Sequence, residues 1–368
     1  MLDVALKVLE KIESFGFSAY LVGGFVRDYI MGIESNDIDI TTNAKPKELL
    51  KIFEDALLPN DDYGSVCVYV KNIRFEITTF RREIMYDNKR KPIEIEYIDD
   101  LYEDLMRRDF TINSICMNKN GEIIDLLGGI SDINDKVIKV IGENNKKFSD
   151  DPLRILRCIR FASKLGFSMD SDISSAIINN KYLLKNISYE RKMDEINKMF
   201  ASSRCRDAID LLLKYGLDKD LELYNLVNVT YTDSLIGIWA VLDVCDIYKF
   251  SNNEKDQIEL INKALRVNNL DPYNLYRYGL YANSIAGSIK GVDNKKINEA
   301  YNSLVIQSRA DLNIEAFDIV NIFKKEPGVY IKNVFEILEK EVLYRHLEND
   351  RDVLLDYCRS MEVIESYE

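Results

Sequence analysis

Two aspartates, Asp37 and Asp39, stand two positions apart in a short stretch where they alternate with isoleucine. On a β-strand, residues at i and i+2 point to the same face, so the two carboxylates would lie side by side. Neighbouring carboxylates repel each other and raise each other's pKa unless a cation lies between them. Because carboxylate oxygens are ligands that hard divalent cations prefer, the spacing predicts a metal site with Mg²⁺ as the expected ion.

A glycine pair precedes these aspartates. The apolar run 20–22 ends at Gly23 and Gly24, and a helix-like segment that carries Arg27 and Asp28 follows. Backbone N–H groups of a glycine turn and of a helix N-terminus can bind phosphates, which a metal ion can bridge. A glycine turn beside a carboxylate pair therefore predicts the chemistry of nucleoside triphosphates.

A second group of charged residues lies on a helix predicted over residues 151–165. Its Arg154, Arg157, Arg160 and Lys164 fall within about 120° of one another around the helix axis. Four cations on one stripe indicate a face that binds phosphates or nucleotides. A stripe of this kind can equally be the solvated face of an amphipathic helix.

The pair Asp151 and Arg154 permits a sharper interpretation, because residues at i and i+3 share one helix face. Cytosine and adenine both present an amino donor beside a ring-nitrogen acceptor. A carboxylate can accept from the amino group while a guanidinium donates to the ring nitrogen. Uracil and guanine present the reverse pattern, so the pair could select C and A without a template. The plainer alternative is that Asp150 and Asp151 are acids favoured by the helix dipole.

Two further groups allow a functional and a structural interpretation. Glu76 lies on the second strand of a hairpin predicted over 64–80, and is either a third acid facing the aspartates or a solvated residue. Arg108 could contact the triphosphate or base, and Asn113 the sugar. Alternatively, Asp109 pairs with the adjacent arginines and locks the sheet to a helix, which the pattern alone favours.

The elements that must position these residues change along the chain. Strand-like and helix-like segments alternate up to Gly129, and helical patterns continue from Ser149 almost to the end. The polar segment 81–92 has no regular period and is predicted to be a loop. These patterns predict an α+β fold, in which a domain with a small mixed β-sheet precedes an all-α region.

Composition excludes several classes of site. The 368-residue chain has one histidine, so a multi-histidine metal cluster is not possible. Its six cysteines form no C-x-x-C pair and predict reduced thiols, hence a cytoplasmic location. No apolar run approaches the roughly 20 residues of a membrane span. The net charge of −13 argues against nucleic-acid binding, but only weakly. A local basic patch can bind nucleic acid even when the net charge of the whole chain is negative.

Five segments together resemble, in order and spacing, the class II tRNA nucleotidyltransferases, also called CCA-adding enzymes. Bacterial poly(A) polymerases share the same head domain. The segments are LVGGFVRD, NDIDITTNAKP, RRDFTINSICMN, GEIIDLLGG and DPLRILRCIRFASKLGF. Looser similarity continues through ISYERKMDEINKMF and into the C-terminal region, so the resemblance spans most of the chain.

The resemblance implies a catalytic role for both aspartates of the opening pair. Asp37 and Asp39 would hold the catalytic Mg²⁺. Gly24 and Arg27 would contact the phosphates and sugar of the incoming nucleotide, and Arg108 would contact the nucleotide as well.

The resemblance also assigns the choice of base. Asp151 and Arg154 would be the base-reading pair, and Arg157 and Arg160 would support the nucleotide. The family usually has Glu-Asp before x-x-Arg, whereas this chain has Asp150 at the first of these positions, which puts a role for that residue in doubt.

The implied reaction is template-independent addition of C, C and A to the 3′ end of tRNA. The tRNA 3′-hydroxyl would attack the α-phosphate of CTP or ATP and release pyrophosphate. Poly(A) synthesis and partial CC or A addition are the alternatives. The family architecture implies a catalytic head (1–130), a neck that recognises the base (131–200), a body (201–300) and a tRNA-binding tail (301–368). The protein would act as a monomer or homodimer, without a membrane.

Overall fold

The computed structural model describes residues 1–35, 37–60, 64–86, 92–229 and 234–365. The chain divides into two compact units, residues 1–223 and 224–368. The first unit contains all the described strands and all residues with a predicted role at the active site. The finer division into head, neck, body and tail stays a prediction.

The strands of the first unit build one large and two small sheets. In chain order the described strands are β1 (Ala19–Val22), β2 (Ile38–Thr42), β3 (Leu57–Asn60), β4 (Ser65–Val70), β5 (Ile73–Thr79), β6 (Arg81–Tyr86), β7 (Pro92–Tyr97), β8 (Cys116–Met117), β9 (Ile123–Ile124), β10 (Val137–Ile138) and β11 (Ser168–Met169). The large sheet has the order β3-β4-β5-β2-β1-β8-β9. Within this large sheet, β2 and β5 pair in parallel and the other described pairs are antiparallel, so the sheet is mixed, as predicted.

Helices surround these sheets in the first unit. They are α1 (Leu2–Ser14), α2 (Gly24–Ile30), α3 (Pro46–Ile52), α4 (Leu101–Met106), α5 (Gly129–Asn134), α6 (Asn144–Asp150), α7 (Leu153–Leu165), α8 (Ser171–Asn180), α9 (Tyr189–Phe200), α10 (Cys205–Lys214) and α11 (Leu217–Asp220), with 3₁₀ turns at Thr111–Asn113 and Lys181–Asn186. Helix α7 is amphipathic as predicted, because its Ile155, Leu156, Ile159 and Ala162 are buried.

The sequence interpretation of residues 81–92 as a loop is wrong for residues 81–86 and for Pro92. Residues 81–86 form β6, and Pro92 begins β7, with which β6 pairs in an antiparallel two-stranded sheet. The register shifts twice between Glu83 and Tyr86. Such irregularities, in a strand that begins with three charged residues, remove the alternation by which strands are recognised in a sequence. Residues 87–91 lie outside the described residues.

Two other boundaries differ from the predictions. Asp37 precedes β2 by one residue instead of lying within the strand. Asp151 precedes α7 and has an extended backbone, with φ −142° and ψ 97°. The reason is Pro152, since a proline disfavours the helical conformation of the residue before it.

In the described part of the second unit, the regular secondary structure consists of helices. It contains α12 (Leu235–Leu242), α13 (Asn252–Leu265), α14 (Pro272–Ile289), α15 (Asn294–Asn302), α16 (Ala316–Phe323), α17 (Val329–Leu343) and α18 (Arg351–Glu365), with 3₁₀ turns at Leu226–Asn228 and Arg309–Asp311. Helix α13 begins with a capping box, because the side chains of Ser251 and Glu254 each bind the other's backbone N–H. In the described residues, no helix combines the length and apolar character that a membrane crossing requires.

Candidate active site

The glycine pair lies directly against the carboxylate of Asp39. Strands β1 and β2 are antiparallel and place Val22 opposite Asp39, so the turn that follows Val22 passes beside the aspartate. Gly23 has φ +81° and ψ −138°, a conformation that residues with a Cβ rarely adopt. A Cβ at this position would stand 3.4 Å from Asp39 Oδ2. The backbone of the turn and the aspartate therefore share one small space.

Asp39 lies among more negative than positive charge. The parallel register of β2 and β5 places Glu76 directly beside it. Although Asp39 keeps accessible surface, the protein around it is dense enough to penalise the charged form. Burial, then the charge of Glu76, raises its pKa to about 6; Arg108 opposes the shift and Asp37 adds to it. A cation arriving here would relieve this repulsion.

The donor set fits a divalent cation that completes its coordination with substrate and water. In the part of the chain that the structure describes, no group of three His, Cys, Asp or Glu residues forms a metal cluster. Two carboxylates, Asp37 and Asp39, are what Mg²⁺ commonly takes from a protein when phosphates supply further ligands. Glu76 stands outside this pair and lies 3.5 Å from Arg74.

Arg108 is held close to Asp39 by a residue that the sequence interpretation did not single out. Its Nη2 donates to Asp104 Oδ2 at 3.2 Å, and Arg107 Nε donates to Asp104 Oδ1 at 2.8 Å. The expectation that Asp109 pairs with these adjacent arginines is wrong. Helical spacing favours the observed pairs, because Arg107 and Arg108 lie three and four residues after Asp104, while Asp109 binds Arg157 instead.

Arg27 lies in the interior, with 2% of its surface exposed. Its guanidinium donates to Asp28 Oδ1 and, at 2.7 Å, to Asn113 Oδ1. Asn113 therefore binds an arginine in this structure. These contacts join α2 to the 3₁₀ turn before β8, so a role of Arg27 in nucleotide binding would depend on groups it positions.

The cationic stripe of α7 is largely paired. Arg157 binds Asp109 at 2.6 Å, and Arg160 binds the buried Glu195 of α9 at 2.6 Å. Of the four predicted cations, only Lys164 is largely exposed to solvent. The stripe is consequently neither an open phosphate-binding face nor a solvated one. Its ion pairs lock α7 to the segment before β8 and to α9.

Burial alone would raise the pKa of the Asp109 carboxyl. The charge and hydrogen bond of Arg157, aided by the charge of Arg154 and the N–H of Phe110, bring that pKa below its usual value. The charge of Asp109 is thus balanced by Arg157 in the folded protein, whereas the charge of Asp39 is not balanced.

The two residues predicted to read the base are oriented by separate partners. Asp151 accepts from the Leu153 N–H at 3.2 Å and from Arg191 at 3.3 Å. Arg154 donates to the carbonyls of Lys147 and Arg107, at 3.2 and 3.4 Å. The second carbonyl belongs to the same short segment as Arg108, so the start of α7 and the surroundings of Asp39 are physically connected.

Phe161 is a buried residue of this region that the sequence interpretation missed. Its ring lies 4.1 Å from the guanidinium carbon of Arg160, 5.2 Å from that of Arg27 and 5.5 Å from that of Arg157. An aromatic face attracts cations, so one ring helps to place three arginines from two helices. Only tertiary structure brings α2 to α7, and no spacing in the sequence signals it.

Protein-family models match three parts of the chain. The poly A polymerase head domain matches residues 19–139, the "Probable RNA and SrmB- binding site of polymerase A" matches 166–221, and a domain 2 model of tRNA nucleotidyltransferases matches 238–358. The head model covers the described strands around Asp39 and ends before α7.

Whole-length relatives decide the family. The chain is 33% identical to the CCA-adding enzyme of Geobacillus sp. (strain WCH70) over 383 residues, covering 95% of this chain and 94% of the relative. It is 34% identical to that of Anoxybacillus flavithermus (strain DSM 21510 / WK1) over 380 residues, covering 96% of each. The chain belongs to the family of CCA-adding enzymes. It is therefore a nucleotidyltransferase, and the resemblance drawn from five sequence segments is confirmed.

The fold agrees with a solved member of the CCA-adding family. The structure of the Bacillus stearothermophilus CCA-adding enzyme in complex with CTP matches with a TM-score of 0.87 at 27% identity, covering 99% of this chain and 98% of that one. The predicted α+β architecture, a mixed-sheet head followed by helices, is thereby confirmed. Nucleotidyltransferases of this kind generally use a divalent metal, which agrees with the carboxylate donors found here.

Proposed function

We propose that this protein adds C, C and A in turn to the 3′ end of tRNA, using CTP and ATP and no template. One observation carries the proposal at the site. Strand β2 places Asp39 against the glycine turn, with Glu76 in register beside it and the charge of Arg108 near it. The names of the relatives and the CTP complex of the solved family member support the same activity.

In the proposed reaction the tRNA 3′-hydroxyl attacks the α-phosphate of the nucleotide, and pyrophosphate leaves. Asp37 and Asp39 would hold Mg²⁺, which supplies charge stabilisation for the attacking and leaving oxygens. Gly24, at the start of α2, offers a backbone N–H to the phosphates, and Arg108 offers a cation. Positioning supplies much of the acceleration, because little covalent chemistry falls to the protein.

The choice of C and A is proposed to lie at the start of α7. Asp151 would accept from the amino group of the base, and Arg154 would donate to the ring nitrogen. Arg154 uses two of its five N–H donors on backbone carbonyls, which orients the guanidinium and leaves donors for a base. Arg157 and Arg160 would support the nucleotide through the ion pairs that fix α7.

The proposal extends to the chain as a whole and to its location. Residues 1–130 would act as catalytic head, 131–200 as base-recognising neck, 201–300 as body and 301–368 as tRNA-binding tail, in the cytoplasm. Basic residues along the helical segments would bind the phosphates of the tRNA backbone despite the net charge of −13. We therefore expect tRNA affinity to fall steeply as salt increases, because phosphate contacts release counterions.

One assay tests the proposed function directly. Purified protein with Mg²⁺ is given tRNA transcripts that end before the CCA sequence, after C, or after CC, each with labelled CTP or ATP. The expected result is ordered addition of C, C and A, followed by a stop. Long A tails would instead indicate a poly(A) polymerase, and a stop after CC a CC-adding enzyme. A transcript ending in CC that alone is extended would indicate an A-adding enzyme.

A further inference from the structure

Asp104 is a completely buried carboxylate on α4, with 0% of its surface exposed. Its Oδ1 accepts from Arg107 Nε at 2.8 Å and from the Arg81 N–H at 3.3 Å. Its Oδ2 accepts from Thr41 Oγ1 at 3.0 Å and from Arg108 Nη2 at 3.2 Å. Since a carboxylate has about four lone-pair positions, its accepting capacity is used in full.

The four donors connect two sides of the proposed catalytic site. Thr41 lies two positions after Asp39 on β2, so both side chains point to the same face of the sheet. Arg108 is the cation that most strongly opposes the negative surroundings of Asp39, ahead of Arg157. Asp104 lies between them and binds both Thr41 and Arg108. The carboxylate thereby sets the distance between the strand that carries Asp39 and the arginine that faces it.

We propose that Asp104 is a positioning residue of the nucleotidyl transfer reaction, which holds Arg108 against β2 so that its guanidinium faces the site at Asp39. This inference rests on the proposed function of Asp39 and Arg108. Arg108 Nε has no hydrogen-bond partner among the described residues, so Asp104 is its principal anchor. Without the carboxylate, the arginine would lose its fixed direction.

The negative charge of Asp104 is essential to this role. An asparagine at the same place could still accept from Thr41, but it would remove the negative charge that Asp104 presents to Arg107 and Arg108. Both arginines lie on a segment whose Arg107 carbonyl accepts from Arg154. A displacement of this segment would therefore move a cation of the catalytic site.

The first test compares Asp104→Asn with Asp132→Asn in the full chain. Asp132 is a matched control, because it is 3% exposed, accepts from the Thr111 hydroxyl at 2.6 Å and pairs with Lys139 at 2.7 Å. We expect Asp104→Asn to lower kcat/KM for both CTP and ATP by about 10–100-fold. Asp132→Asn is expected to change these values by less than about threefold, even where it lowers Tm.

A double-mutant cycle with Arg108→Ala separates positioning from general stability. If Asp104 acts through Arg108, Asp104→Asn causes little further loss in the Arg108→Ala protein, because the group it positions is already gone. Independent losses that multiply would overturn the inference. So would an Asp104→Asn protein with the kinetics of the Asp132→Asn control.

A milder variant keeps the test decisive where Asp104→Asn does not fold. Thr41→Val removes one donor while keeping a β-branched side chain for the strand. It is expected to lower kcat/KM about 3–10-fold with Arg108 present and to have almost no effect in the Arg108→Ala protein. Equal effects in both proteins would contradict the inference. Failure of the proposed function would appear separately, as a lack of C, C and A addition by the unsubstituted protein.

Discussion

The start of β2 and the inner face of α7 both carry charged side chains, but only the charges at α7 are balanced. Burial and the charge of Glu76 raise the pKa of Asp39 to about 6. On α7, Arg157 outweighs the burial of Asp109 and leaves the pKa of that carboxyl below its usual value. Arg160 likewise pairs with Glu195 at 2.6 Å.

This difference distinguishes charges that a ligand would balance from charges that the protein already balances. At β2 the folded protein retains repulsion between carboxylates, which a divalent cation with its phosphates would relieve. On α7 the ion pairs are made within the protein and fix the helix in place. Substitutions should consequently separate the two regions, since those at β2 should affect catalysis and those behind α7 should affect stability.

The largest expected effect is that of Asp39→Asn on catalysis. Loss of one metal-binding carboxylate should lower kcat/KM for C addition by about 10³-fold or more. The substitution also removes a repelling charge, so the Tm measured without metal should not fall. Steady-state kinetics and thermal unfolding measure the two quantities.

Asp55→Asn, at an exposed acid of the same unit, serves as the control for Asp39→Asn and should leave both quantities unchanged. An Asp39→Asn protein that retains full activity would refute the metal assignment. An Asp39→Asn protein that unfolds readily would refute the assignment of unbalanced charge.

In contrast to Asp39→Asn, Asp109→Ala should mainly reduce the stability of the protein rather than its catalytic activity. It leaves the partly buried Arg157 without its closest anion, and because one-third of that side chain is exposed, the cost should be about 2 kcal/mol, below the roughly 3–5 kcal/mol of a fully buried pair. Denaturant titration of the free energy of unfolding measures the loss. A decrease below about 1 kcal/mol would mean that this pair resembles an exposed salt bridge.

Gly23→Ala should combine a moderate loss of stability with a loss of activity. The left-handed φ of +81° and the Cβ that would reach within 3.4 Å of Asp39 predict a cost of about 1–2 kcal/mol and about tenfold in kcat/KM. Gly16→Ala is the matched control, because Gly16 has φ +90° but nothing within 4 Å of its Cβ position. The control should lose stability alone, and equal activity losses in both variants would contradict the role of the glycine turn.

The smallest expected effects are those of pH on the free energy of unfolding. As the pH rises, the contribution of Asp109 should increase stability and that of Asp39 should decrease it. Asp109 has a lowered pKa, so its contribution to stability is full above about pH 4 and is lost as the pH falls below that value. Asp39 has a raised pKa, so the metal-free protein loses stability as the pH rises from about 4, the usual pKa of an aspartate, to about 6, and the loss is complete above that value. The free energies of unfolding of Asp39→Asn and Asp109→Ala, measured from pH 3 to pH 8 against the unsubstituted chain, test both signs. Identical pH dependence would contradict the comparison.

The sequence predicted the β2 side of the site well, because its residues are close together along the chain. One strand–turn–helix–strand segment, recognisable from local pattern, contains Gly23, Gly24, Asp37 and Asp39. Even the neighbouring Glu76 was identified as a candidate from strand alternation. Its placement beside Asp39 needed the parallel register of β2 and β5, which no local pattern specifies.

The α7 side was less predictable, because its partners come from distant segments. Helical periodicity placed Arg157 and Arg160 on one stripe, but not Asp109 and Glu195 opposite them. Asp104 could have been found from its helical spacing to Arg107 and Arg108. The pairing of α7 depends instead on tertiary packing, so a predicted open cationic face became a set of internal ion pairs.

Nucleotide selection by Arg154→Ala tests the central claim most directly, since that claim separates choice of base from catalysis. Rates for CTP and UTP on tRNA lacking CCA, and for ATP and GTP on tRNA ending in CC, give the preference, and a Mg²⁺ titration gives metal dependence. The account predicts that preference for C and A falls at least about tenfold while the half-saturating Mg²⁺ concentration stays the same. A uniform loss of rate with the preference retained would contradict it.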